Sequence, residues 1–294
     1  MKRRQFIQTV TAASAGAFIP SFAWASPKWK VGIQLYTVRD VIFKDTAVTL
    51  KQIADLGYQE LEAFSYNDGK VLGKPVGDVV KMVTDLGMKM PSGHYGTGLV
   101  ASPNGRSSVG TLSNGWDKAV EDAKILGHEN MVVAYLQQGE RKTLDDYKKV
   151  CALVNQKAEV CKAAGIRMGY HNHDFEFMPI DGQVPYELML KELDPNLVSM
   201  ELDLFWATFA NHDPIKLIEA HPGRFTQWHV KDMRQDDRKL NADVGMGTID
   251  FKTIFTKAGQ SGMKHFYVEH DTFPVSSAES VKADVQNIKA MLGL

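Results

Sequence analysis

A single unit recurs along this chain after residue 30, and it narrows the folds open to it. A stretch with helical periodicity ends in a small or apolar residue and a glycine, and a short β-rich run comes next. The unit is seen at Ala54-Asp55-Leu56-Gly57, Thr84-Asp85-Leu86-Gly87, Lys124-Ile125-Leu126-Gly127, Ala163-Ala164-Gly165 and Thr256-Lys257-Ala258-Gly259. Glycine at that place suits the left-handed residue that closes a helix. The β-rich runs after these glycines cover residues 58–64, 88–93, 130–134, 167–172 and 264–269, and three more at 30–36, 198–202 and 225–231 complete a set of eight strands. Near-continuous apolar strands alternating with helices predict a parallel sheet covered on both faces. Eight units in about 265 residues predict an α/β fold closed into one (β/α)8 barrel. A doubly wound sheet would want a glycine-rich phosphate turn after an early strand. The first run leads instead into Tyr36-Thr37-Val38-Arg39-Asp40, which contains no glycine.

The N-terminal 25 residues do not take part in that pattern. Met1-Lys2-Arg3-Arg4-Gln5-Phe6-Ile7 sets two arginines before a mild apolar stretch, too short for a membrane span, and Ala23-Trp24-Ala25 offers a small-x-small cleavage site. The segment resembles a twin-arginine signal peptide. The expected organisation is therefore a signal over residues 1–25, a barrel over 26–294, and a periplasmic protein with no membrane association after cleavage. Cleavage removes Lys2, Arg3 and Arg4 and no acid, so the formal net charge of −1 becomes −4. That charge gives no basic field for nucleic acid. Cys151 and Cys161 lie ten positions apart in a helical stretch, about 15 Å along its axis. This is beyond the roughly 7 Å between Cα atoms that a disulfide tolerates. The irregular segment 94–113, with five glycines and prolines, would lie over the barrel mouth as a lid.

Barrel enzymes carry their reacting groups at the C-terminal ends of the strands, and those ends are where the polar residues collect. They read Glu60-Leu61-Glu62, then His94, then Tyr170-His171-Asn172-His173-Asp174-Phe175-Glu176-Phe177, Glu201-Leu202-Asp203, His229-Val230-Lys231-Asp232 and Glu269-His270-Asp271. Five of the nine histidines fall there: His94, His171, His173, His229 and His270. Carboxylate oxygens and imidazole nitrogens without thiolate suit one divalent ion: Mn, Co, Zn or Mg. Such an ion can polarise a sugar carbonyl while a nearby carboxylate or imidazole removes the adjacent proton.

From Lys30 onward the chain resembles the xylose-isomerase-like TIM-barrel superfamily, which includes sugar epimerases, hydroxypyruvate isomerase, inosose dehydratase and endonuclease IV. The resemblance is carried by the run 170–177, by Glu201-Leu202-Asp203-Leu204-Phe205-Trp206, by His229-Val230-Lys231-Asp232, by Tyr267-Val268-Glu269, and by Gly245-Met246-Gly247-Thr248-Ile249-Asp250-Phe251. In the epimerases of that superfamily, Glu, Asp, His and Glu on strands five to eight hold the metal. The likeness implies Asp203, His229 and Glu269 as three ligands. On strand five His171 stands where the glutamate is expected, so either His171 replaces it or Glu176 folds back to it.

Glu176, His173 and His94 are candidates for proton transfer. Glu62, Lys231 and Trp206 are candidates for substrate contact, with Glu62 alternatively paired to the Lys231 ammonium. Trp206 and Phe205 either form a sugar-stacking wall or pack beneath the next helix. His128, His212, His221 and His265 read as structural, and Gly245 and Gly247 as turn formers.

The expected activity is a metal-dependent isomerase or epimerase acting on a non-phosphorylated sugar or keto-sugar. Export argues against a phosphorylated substrate, and only Arg39 and Arg234 near the mouth offer a cation for one. The alternative on the same site is a lyase or dehydratase acting on an inosose or 3-keto-glycoside. Abasic-DNA cleavage is opposed by the charge, and a non-catalytic sugar-binding barrel by the intact ligand set. Nothing in the sequence decides between a monomer and a homo-oligomer.

Overall fold

The computed structural model describes residues 29–100 and 108–294. The signal segment at 1–25 lies outside the described residues, as does the 101–107 part of the expected lid. Eight parallel strands close into a barrel: β1 (Gly32–Gln34), β2 (Glu60–Ala63), β3 (Lys89–Tyr95), β4 (Asn130–Val133), β5 (Arg167–His171), β6 (Val198–Asp203), β7 (Phe225–Val230) and β8 (His265–Val268). Each strand pairs with its sequence neighbours, and β1 pairs with β8 through Gly32↔Tyr267 and Ile33↔Val268 to complete the circle. All eight expected strands are present.

The helices are α1 (Thr46–Leu56), α2 (Val76–Asp85), α3 (Trp116–Leu126), α4 (Leu144–Ala163), α5 (Pro185–Glu192), α6 (Leu204–Phe209), α7 (Pro214–Ala220), α8 (Phe251–Phe255), α9 (Ala258–Ser261) and α10 (Ser277–Leu292). The sequence marks their ends. Asp45 caps α1 through the Val48 N–H, and Gly57 closes it at φ 94°. One expected helix end moves. Gly259 lies inside α9, and the left-handed closing residue is Gly262, at φ 77°. The helical stretch after residue 250 breaks at Thr256 and resumes for one more turn, so the closing glycine comes three positions later than the repeat implies.

The apolar core lies between the outer face of the barrel and the helices, with Ile33, Leu61, Met131, Met168, Met200, Trp228 and Phe266 all buried. Strand side chains alternate between faces, so the residues between these point into the barrel. There most of the side chains are polar, Val132 of β4 being an exception. Gln227 of β7 donates to Ser92 of β3 at 2.8 Å across the interior, and Ser92 donates to Glu62 at 2.5 Å. The barrel axis is thus a hydrogen-bonded column rather than an oily plug, and it stiffens the floor on which the site is built. Cys151 and Cys161 are buried free thiols on α4. Among the described residues no helix is long and apolar enough to cross a membrane.

Candidate metal centre at the barrel mouth

The strand alternation that sends apolar residues outward sends His171 (β5), Glu201 and Asp203 (β6), and His229 (β7) inward near the C-terminal ends of their strands, and Glu269 comes directly after β8. One ligand atom each from His171, Asp203, His229 and Glu269 lies within 4.8 Å of the others, and all four residues are buried. The segments around 203, 229 and 269 therefore meet, as the sequence requires. A second set, His94, His171, Glu201 and His229, meets the same limit and shares two histidines with the first.

His229 is the hub. Its Nδ1 lies 2.6 Å from Glu269, and its Nε2 lies 2.6 Å from Glu62 and 3.2 Å from Glu201. Burial opposes a charge on this ring, yet Glu201, Glu269 and Glu62 together push its pKa well above the usual histidine range. Lys231, 1% exposed, bridges Asp203 at 3.0 Å, Glu269 at 2.7 Å and Asp271 at 3.0 Å. Burial disfavours its charge, but these carboxylates hold its pKa well above normal. Burial raises the Asp203 carboxyl to about 6 against the pull of Lys231. For His171 burial comes first and the neighbouring rings of His229 and His173 second, and both drive its pKa well below normal. His171 is therefore a neutral imidazole with a lone pair to give, the form a metal needs.

The donor set fits a divalent cation. The carboxyl groups of Glu62, Glu201, Asp203, Glu269 and Asp271 converge on a single lysine and three histidines. Glu201 Oε1 is buried without a hydrogen-bond donor, and Asp203 Oδ2 has the Lys231 ammonium as its ion-pair partner at 3.0 Å. Buried acceptors in surplus over donors are what a bound cation relieves.

Of the two strand-five alternatives, the structure brings His171 to the cluster and places Glu176 away from it. Glu176 sits in the short turn Phe175–Phe177, fully buried, accepting from the Tyr170 hydroxyl at 2.7 Å and the His173 N–H at 2.8 Å. Tyr170 points out of the barrel where His171 points in, so Glu176 is behind the strand. It neither joins the ligand set nor lines the cavity, which corrects its expected role in proton transfer. Glu62 is corrected as well. It is 0% exposed beneath the cavity, held by Gln34 at 2.8 Å, Ser92 and His229, and it forms no pair with Lys231. His270 is bound by Asp284 of α10 at 2.9 Å and by the Thr272 carbonyl at 3.0 Å, a structural role.

Above the cluster opens a cavity of about 510 Å³ whose lining includes His94, His171, His173, Lys231, Glu269 and Asp271. His94 Nε2 rests on Glu201 at 2.9 Å and Glu62 at 3.1 Å. Burial works against its charge, but these carboxylates raise its pKa to about 9. His173 stacks on Phe175 and stands edge-on to Tyr135, and its Nδ1 has no partner. Trp206 is not part of that lining. It flanks the site, its ring 5.6 Å from His173 and 5.8 Å from the Lys231 ammonium, while Phe205 is core.

Asp203 also caps α6 through the Trp206 N–H at 2.9 Å, so a single residue starts the helix and faces the cluster. The Gly245–Gly247 turn wraps the Asp232 carboxylate, which accepts the N–H groups of Gly245 at 2.8 Å and Gly247 at 2.9 Å. A Cβ at Gly247 would collide with that carboxylate, so the glycines serve a turn as expected. Glu201 and Asp271 carry no assignment at the sequence level. The signal for Glu201 is its spacing of two from Asp203, which puts both on one face of β6.

Comparison with known proteins agrees with this fold. Inosose dehydratase 2 of Bacillus cereus is 22% identical over 142 residues, 43% of this chain and 47% of that protein. The chain thus spans about half the length of the curated relatives it matches. A sugar phosphate isomerase/epimerase from Parabacteroides distasonis superposes with a TM-score of 0.76 at 28% identity, covering 88% of this chain and 97% of that one. The IOLI protein, whose structure has a bound zinc atom, shares the fold at a TM-score of 0.69 and 12% identity over 90% of this chain and 98% of that one. Residues 50–291 match the xylose isomerase-like TIM barrel family as a whole, and the chain belongs to that family.

Proposed function

We propose that the protein is a metal-dependent isomerase or epimerase that acts on a non-phosphorylated sugar or keto-sugar by moving a proton next to a carbonyl. The observation that carries this reading is the convergence of His171, Asp203, His229 and Glu269 on one point at the floor of an open cavity. These four would hold a divalent cation, which supplies Lewis acidity toward a carbonyl oxygen.

The chain's own groups do the rest. His94 carries the proton. Its Nε2 is anchored to Glu201 and Glu62, and its Nδ1 has no hydrogen bond among the described residues. Carboxylates behind an imidazole raise its proton affinity and fix its orientation. His173 lines the cavity and offers an edge of its imidazole to a substrate hydroxyl. Lys231 balances the carboxylates, its three N–H groups directed at Asp203, Glu269 and Asp271.

The non-phosphorylated reading is supported by the fate of the two arginines. Arg39 donates to the carbonyl oxygens of Tyr36, His270 and Asp271, and Arg234 is paired with Asp236. Neither is left for a dianion. The twin-arginine segment supports a periplasmic setting for the reaction.

The second reading is a lyase or dehydratase acting on an inosose or 3-keto-glycoside. Its support is the sequence likeness to inosose dehydratases and a cavity with room for a leaving group. Incubating the metal-loaded protein in D2O with free sugars, inososes and 3-keto-glycosides tests both. Deuterium next to the carbonyl without loss of a group supports the isomerase, and deuterium with elimination supports the lyase. Turnover unchanged after metal removal overturns both.

A further inference from the structure

The cavity has two unlike halves. The ends of β5–β8 supply its charged lining: His171, His173, Lys231, Glu269 and Asp271. The ends of β1–β4 supply the aromatic rings of Tyr36, Phe64 and Tyr135 beside His94 of β3, and Tyr36 and Phe64 lie together at the ends of β1 and β2. A single hexose fills on the order of 200 Å³, six or seven waters at about 30 Å³ each. The cavity, at about 510 Å³, holds more than twice that. A sugar whose carbonyl reaches the charged half leaves the aromatic half free.

That half is built rather than incidental. Tyr36 is 39% exposed and Tyr135 41%, unusual for tyrosines packed as these are. Tyr36 has the Arg39 guanidinium 4.2 Å from its ring centre and the Phe64 ring edge-on at 5.5 Å. Phe64 is in turn braced by Phe43 at 5.7 Å. Arg39 is itself fixed by three carbonyl oxygens. Across the mouth, Tyr135 stands edge-on to His173 at 5.0 Å and Phe175 at 5.4 Å, with its hydroxyl 3.3 Å from Arg141. Aromatic rings that are exposed yet immobilised give up little entropy when a flat apolar face settles on them.

We propose that Tyr36 and Phe64 form a second subsite, one that takes a further ring of the substrate joined to the sugar held in the charged half. The ligand class is a keto-glycoside, since the glycosidic bond masks C1 and leaves a ring ketone as the carbonyl, whose aglycone presents a flat apolar face, either an aromatic ring or the C–H face of a second pyranose. This rests on the proposed sugar chemistry of the same site and narrows its substrate.

The test measures binding of methyl β-glucoside, phenyl β-glucoside and cellobiose to the zinc-loaded full chain by calorimetry. Phenyl β-glucoside or cellobiose should bind about tenfold tighter than the methyl compound, the worth of one well-stacked ring. A gain for the phenyl compound alone identifies an aromatic aglycone, and a gain for cellobiose identifies a second sugar. Y36A and F64A should each shrink the preference several-fold, while Y36F, which keeps the ring, should retain it. Circular dichroism checks that each variant is folded. Equal affinity for all three compounds, no binding of either two-ring compound, or a preference intact in the Y36A/F64A double variant would overturn the proposal. The deuterium experiment separates the two readings. Exchange without a ring preference removes only the subsite, and a ring preference without exchange on any sugar removes only the reaction.

Discussion

Glu62 and His229 share a hydrogen bond of 2.6 Å through Nε2, and neither residue reaches solvent. The opposite nitrogen of the same ring faces Glu269 at 2.6 Å. A carboxylate on one nitrogen of an imidazole fixes its tautomer and aims the other nitrogen, which makes Glu62 the residue that orients His229. E62Q keeps the size and loses the charge. Its affinity for zinc or manganese should fall by about 10- to 100-fold, the usual effect of losing such a partner. Metal titration followed by calorimetry reads this directly, and an affinity within twofold of wild type would refute the role.

Asp203 has two duties that two substitutions separate. D203A removes both a ligand and the cap of α6, at a stability loss of about 1 kcal/mol for the cap. D203N keeps an oxygen for the Trp206 N–H and should retain most of that stability. Both should lose bound metal and turnover. Urea unfolding beside metal analysis distinguishes them.

The neutral imidazole of His171 and the enclosure of Glu176 predict opposite outcomes for metal retention. E176Q should bind metal as wild type does, because its side chain faces Tyr170 behind the strand. H171A should lose metal, and H171E should regain it. Metal content after gel filtration gives the answer, and loss of metal in E176Q alone would restore Glu176 as the ligand.

Glu176 also has a pH signature. Burial raises its carboxyl from 4.5 to about 7, against the hydrogen bonds from Tyr170 and His173. A folded-state pKa above the unfolded one means that the folded protein holds the extra proton between those values. Its contribution to stability is fully present below pH 4.5 and is lost as pH rises through 7. The difference in unfolding free energy between wild type and E176Q should therefore shift against wild type across that window, and stay flat above it. Chemical denaturation at several pH values measures it. His128, buried and lowered to about 4, contributes in the opposite sense and cancels in the difference.

Chelation supplies a global check. A cation present at 100 times its dissociation constant stabilises the folded state by about 2.7 kcal/mol. For a domain of this size that corresponds to roughly 5–10 °C in melting temperature. EDTA should lower the melting temperature by that amount and excess zinc should restore it. No shift would mean that the cluster binds no ion in solution.

The barrel was readable because most of its units announce their own boundaries, and the four converging residues because each lies at a strand end. The turns just beyond the strand ends are less legible. His171, His173 and Glu176 lie within six positions, yet the turn at Phe175–Phe177 sends one ring to the cluster, one to the cavity and the carboxylate behind the sheet. No spacing rule distinguishes those directions. The sequence offers Glu62 a substrate contact or Lys231, and that it meets His229 instead is set by the register of the closed barrel, which spacing does not give. The aromatic half was invisible for a similar reason. Tyr36, Phe64 and Tyr135 are single residues at three separate strand ends, and only closure gathers them.

Arg39 joins the loop after β1 to the loop after β8 by donating to His270 and Asp271, and it lies against the ring of Tyr36. One guanidinium thus stitches the first strand's loop to the last and also sets the angle of an aromatic ring at the entrance. Architecture and selectivity are inherited together at that position. Drift toward a new ligand has more latitude at Phe64, whose ring can change without loosening the join.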